Sequence, residues 1–107
     1  MPDPGPAAQV AAAVLAHPAI ARLDGGPFGT VASHLPGRRR ILGVRLGTPT
    51  EIAVVARLGM PLHRLADEVA AAVRGVLGPV EVEVTISDVA PAAPAVQVAP
   101  VPWTGND

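Results

Sequence analysis

The chain has 107 residues, 50% of them hydrophobic, a formal net charge of −1 and no cysteine. That length fits one small domain, and the lack of cysteine excludes a disulfide, a thiolate zinc site and a cysteine nucleophile. Near-neutral charge argues against a general nucleic-acid binder, although all eight cations are Arg and three of them are consecutive. With one Phe, one Trp and no Tyr, the core has to be built from Ala, Val, Leu and Ile.

Residues 1–6 carry three prolines and a glycine and are expected to be a disordered lead-in. They lack the basic region of an export signal, and the Ala/Val-rich run that follows, Ala7 to Ala16, is too short to span a bilayer. This run favours helix, with Val10, Ala13 and Val14 on one stripe, and His17-Pro18 ends it because a residue before proline avoids helical backbone angles. Ile20 and Leu23 can pack beyond that stop. Asp24-Gly25-Gly26-Pro27 reads as a turn, with a loop extending to about Gly29.

Thr30 to Leu35 alternates weakly and reads as a short edge strand, broken by Pro36-Gly37. Ile41 to Leu46 and Ile52 to Leu58 form a predicted hairpin around Gly47 to Glu51. Pairing Leu46 with Ile52 sets Val44 opposite Val54 and Leu42 opposite Ala56 on one apolar face. The same register sends Ile41, Gly43, Arg45, Ala53, Val55 and Arg57 to the other face, which is mixed and needs partial cover.

Leu58 to Asp88 carries the strongest signal. Pro61 suits the first turn of a helix, since its missing N–H costs nothing there. Leu62, Leu65, Ala66, Val69, Val73, Val76 and Leu77 recur at spacings of three and four, with His63, Arg64, Asp67, Glu68 and Arg74 opposite. Gly78-Pro79 stops the helix. From Val80 the period becomes two, with Val80, Val82, Val84 and Ile86 on one side and Glu81, Glu83, Thr85 and Ser87 on the other, which predicts a strand with one wet face. The expected fold class is α+β: two helices packed on one face of a three- or four-stranded antiparallel or mixed sheet. The domain is placed at residues 7–89, and residues 90–107 are expected to be a proline/alanine-rich flexible tail.

Arg38, Arg39 and Arg40 are the densest charge cluster and a candidate site for an acidic partner, anionic headgroups or phosphates, weighed against a solvated loop. Arg45 and Arg57 join them as candidates on the mixed face. Trp103 is a candidate docking residue in the tail, or folds back on its own domain. His17, His34 and His63 are widely separated and do not have metal-ligand spacing, so no metal or other cofactor is expected. Asp67-Glu68 reads as a surface ion-pair site for Arg64 rather than an acid/base pair. Gly26-Pro27-Phe28-Gly29 has the spacing of an RNA-binding GxxG loop but not its place between two helices. No nucleophile, base and orienting group are visibly arranged, and the chain is not expected to be an enzyme.

The run HPAIARLDGG, then VASHLPGRRRILGVRLG, then IAVVARLGMPLHRLADEVAAAV and finally VEVEVTISDV resembles the alkaline shock protein family of bacterial envelope stress response proteins, over roughly residues 10–89. Leu58 departs from the family, where many members place an aromatic before the glycine, as does the proline-rich tail. The absence of Lys beside abundant Ala, Arg, Gly and Pro fits a GC-rich bacterial genome. The resemblance implies a non-enzymatic interaction or scaffold protein of the alkaline or general stress response. It implies a cytoplasmic protein, peripheral at the inner face of the cell membrane where a membrane-anchored partner holds it, and it allows a homo-oligomer. The alternative, from another class, is a small nucleic-acid-binding domain that uses the arginine cluster.

Overall fold

The structure is a computed structural model and describes residues 5–91. In chain order it contains α1 (Gly5–Leu15), β1 (Ile20–Leu23), β2 (Ala32–Leu35), β3 (Arg39–Leu42), β4 (Val44–Arg45), β5 (Thr50–Arg57), α2 (Leu62–Leu77) and β6 (Val82–Ala90). A 3₁₀ turn, Pro36–Arg38, joins β2 to β3. The fold is α+β, with two helices packed against a mixed four-stranded sheet and a second sheet formed by β2 and β3.

The predicted helix-to-strand switch is present. α2 begins directly after Pro61 and closes at Gly78, whose φ of 90° is open to glycine and whose N–H donates to the Arg74 carbonyl at 2.8 Å. Its stripe of Leu65, Val69 and Val73 is fully buried. α1 starts at Gly5, two residues earlier than the sequence suggests, and buries Ala7, Val10, Ala11 and Val14.

β5 organises the main sheet. β6 runs parallel to it from Thr50↔Val82 to Arg57↔Ala90, so β5, α2 and β6 form a crossover unit. β1 and β4 both pair antiparallel with β5, β1 opposite Val54 to Ala56 and β4 opposite Glu51 and Ile52. The hydrogen bonds separate the two edges of β5. Ala53 and Arg57 bond to Asp24, Gly43 and Ala19, on the side of β1 and β4, while Thr50 and the following Leu58 bond to Glu81 and Ala90 of the β6 side.

Ile52, Val54 and Ala56 face the helices and, with Val10, Val14, Ile20, Val44, Leu65, Val69 and Val73, make the core. A side chain of this size contributes roughly 1.5–3 kcal/mol when fully buried, so the core depends on the number of such residues. Ala53 and Val55 point away from the helices yet are also buried. The cover expected for that face comes in part from the turn after β1, where Val31 N–H bonds the Gly25 carbonyl and Gly26 sits against Val31 and Ala53.

Three expectations are corrected. Ile20–Leu23 is a strand, not merely a packing segment beyond the helix stop. The strand expected at Ile41 to Leu46 is divided by Gly43, at φ 87°: its first part pairs with β2 and its second with β5. Ile41 therefore packs against the core instead of lying on the mixed face. The β4/β5 register sets Val44 opposite Ile52 and Arg45 opposite Glu51, two residues from the expected pairing. A shift of two preserves side-chain facing, so Val44, Ile52, Val54 and Ala56 face the core as expected, whereas Leu42 pairs with Ala32 instead of Ala56 and Leu46 is exposed.

Candidate functional site

The arginine cluster lies at the turn of the β2/β3 hairpin. Pro36 starts the turn, Gly37 and Arg38 take positive φ values of 81° and 65°, and the chain re-enters a strand at Arg39. Leu35 pairs with Arg39 and His34 with Arg40, so the consecutive Arg39 and Arg40 project to opposite faces of the hairpin. All three arginines are exposed, and none has an ion-pair partner among the described residues. The hairpin is tied to the main sheet through Gly43, whose N–H donates to the Val31 carbonyl and whose carbonyl accepts from Ala53, and through the Ser33 hydroxyl, which donates to the Val44 carbonyl.

The other predicted site residues lie elsewhere. Arg45 is beyond the Gly43 corner, and its Nη1 lies 3.7 Å from Glu51 Oε2 in a cross-strand ion pair. Arg57 ends β5, six residues from Glu51, or about 20 Å along the strand. The five arginines therefore do not form one basic face. Trp103 lies outside the described residues.

Arg57 borders a different feature. With His17, Pro18, Ala19, Leu58, Gly59 and Met60 it lines a cavity of about 260 Å³ where β5 turns into α2. Leu58, in its lining, and Leu62, two residues after Met60, are 61% and 41% exposed. Compared with protein-family models, curated proteins and solved structures, the chain matches none.

One polar contact was not legible from the sequence. His17 Nε2 lies 2.7 Å from Glu68 Oε1, and Arg64 Nε donates to Glu68 Oε2 at 3.2 Å. His17 Nδ1 accepts the Ala19 N–H at 3.0 Å, so the ring proton is on Nε2 and is donated to Glu68. The hydrogen bond from His17 is the main cause holding the Glu68 carboxyl below its ordinary value, against a smaller desolvation that raises it, with Arg64 adding to the lowering. This contact ties the end of α1 to α2 across 51 residues of sequence. A histidine directly before a proline helix stop and a glutamate on a helix give no sign of each other until the helices are packed.

The Gly26-Pro27-Phe28-Gly29 turn lies between two strands rather than two helices, with Phe28 86% exposed. Among the described residues, no group of three or more His, Cys, Asp or Glu is arranged to hold a metal ion, and no helix is long and apolar enough to cross a membrane.

Proposed function

We propose that this chain is a non-enzymatic interaction or scaffold protein of the bacterial envelope stress response, working at the inner face of the cell membrane through a protein partner. The sequence resemblance supplies the biological setting. The observation that carries the physical reading is the display of Arg38, Arg39 and Arg40 on a hairpin turn outside the main sheet, exposed and without acidic partners among the described residues. Unpaired guanidinium groups spread around a turn can form bidentate bonds with carboxylates approaching from either side. An acidic segment of a membrane-anchored protein fits that chemistry.

The test is in-cell crosslinking of the tagged full chain, with separation of soluble and membrane pools, beside the triple variant Arg38→Ala, Arg39→Ala, Arg40→Ala. The reading requires a membrane protein that the parent captures and the variant loses. Capture of nucleic acid by the parent and its loss in the variant would replace it with the nucleic-acid alternative. A captured partner retained by the variant would remove the arginine turn from the site.

A further inference from the structure

Among the described residues, β6 pairs only with β5 and leaves one edge of the main sheet open. Its partner on the other side is β5, and the bonds Thr50 N–H to Glu81 carbonyl and Leu58 N–H to Ala90 carbonyl show which β6 residues turn inward. The N–H and carbonyl of one strand residue point the same way, so Glu81, Glu83 and Thr85 face β5 while Val82, Val84 and Ile86 present their backbone groups outward. Both ends of this outward row are closed. The Val80 carbonyl accepts from Arg74 Nε at 2.9 Å. At the other end the β5 register jumps from Ile86 to Asp88, leaving Ser87 as a bulge, and the Val89 N–H is taken by Asp88 Oδ1 at 2.8 Å. The open run is thus three residues long and symmetric about Val84. It also carries apolar side chains, because Val82, Val84 and Ile86 lie on the helix side and are only half-buried.

We propose that this edge is a self-association surface, where β6 pairs antiparallel with β6 of a second copy and Val84 lies opposite the partner's Val84 on a two-fold axis. The residues themselves select that register. It matches all three outward backbone positions, Val82 with the partner's Ile86, Val84 with the partner's Val84, and Ile86 with the partner's Val82, each pair exchanging two hydrogen bonds. On the opposite face it sets Glu83 against the partner's Thr85 and Glu81 against the partner's Ser87, so no like charges meet. Moving the pairing by two residues one way sets Glu83 directly against the partner's Glu83 and gives up an outward pair. Moving it the other way sets Thr85 against the partner's Thr85, with the same loss. The contact is isologous and closes as a dimer, extending the four-stranded sheet across the axis without leaving a new edge there. The dimer does not depend on the stress-response reading.

Three strand pairs make a small contact beside the roughly 1,200–2,000 Å² of stable interfaces, so association belongs near about 100 μM. Sedimentation velocity of the full chain from about 10 μM to about 1 mM should show conversion of monomer to dimer. Val84→Pro deletes the central donor and should remain monomeric with the parent's circular dichroism. Thr85→Glu, at a half-buried position on the face away from the helices, brings like charges together twice and should weaken association about tenfold, whereas Thr85→Lys should strengthen it. These two replace Val84→Pro as the deciding variants if that protein does not fold.

Register is read by cysteine mixing in a chain that has no cysteine of its own. Glu83 and the partner's Thr85 form a non-hydrogen-bonded pair, with Cα atoms about 4.5 Å apart, within disulfide reach. A mixture of Glu83→Cys and Thr85→Cys proteins should crosslink about tenfold faster than either alone. Faster crosslinking of either variant by itself overturns the register. A monomer at about 1 mM, or a dimer that forms equally well with Thr85→Glu and Thr85→Lys, overturns the surface.

Discussion

Replacing Gly43 with alanine tests the corner that separates the hairpin from the main sheet. A Cβ on Gly43 would lie 2.7 Å from Leu23 Cβ, 2.8 Å from the Ala53 carbonyl oxygen and 3.1 Å from Asp24 N. Two of these neighbours are backbone atoms of paired strands, which have no rotamer to change. The φ of 87° adds about 1–2 kcal/mol for any residue with a Cβ. Overpacking adds about 1–3 kcal/mol. Together the loss should be about 2–5 kcal/mol, a large part of the roughly 5–15 kcal/mol that holds a domain folded. The melting temperature followed by circular dichroism should fall by about 10–30 °C. Gly37→Ala is the control: its φ is 81°, but nothing lies within 4 Å of its added Cβ, so it should lose only the conformational part, about 1–2 kcal/mol. If the two variants melt within about 2 °C of each other, steric crowding at Gly43 is not what sets the corner.

Leu65→Ala removes a fully buried side chain from the centre of the core and should cost about 2–5 kcal/mol in chemical denaturation; a loss below about 1 kcal/mol would show that the cavity collapses freely. Arg45→Ala breaks an exposed pair at 3.7 Å and should change stability by no more than about 1 kcal/mol by the same assay. For Glu68 the sign follows from its lowered folded-state pKa: the unfolded chain binds the proton more readily, so the stabilisation is complete above the ordinary value of 4.5 and is lost as pH falls through the lowered one. Melting curves of the parent and Glu68→Gln should therefore differ above pH 4.5 and converge below it; a constant gap across that range would remove the carboxylate from the account. The triple alanine variant of Arg38, Arg39 and Arg40 should melt within about 0.5 kcal/mol of the parent, because these side chains are exposed and unpaired within the described residues.

Local pattern carried the elements whose stability is written into consecutive residues. α2 and β6 were legible because a period of 3.6 gives way to a period of two on either side of Gly78, and both a glycine and a proline mark the boundary. β1 was not, because four residues between a proline and a glycine cluster are too few to show a period; its strand state comes from pairing with β5 more than thirty residues away. The division at Gly43 had a signal, since a glycine inside a strand pattern indicates a bulge or a close backbone approach. Continuous alternation on either side hid it. The parallel placement of β6, and with it the open edge, is decided by how α2 crosses the sheet, which no local period records. For the candidate site, the exposed turn followed from Pro36-Gly37 and three charges, whereas the separation of Arg45 and Arg57 and the His17–Glu68 contact required the tertiary fold.

The Gly43 corner also bears on how this protein changes over evolutionary time. Residues 36–40 are all exposed and supply nothing to the core, while Gly43 and the strands behind it hold the hairpin's base. Charge at the turn can be gained, lost or reversed with almost no effect on folding, so its composition is free to change. Substitutions at the corner meet the opposite condition, because every side chain there competes with backbone for space. Among relatives of this chain, the tip should diversify freely while the glycine behind it stays fixed.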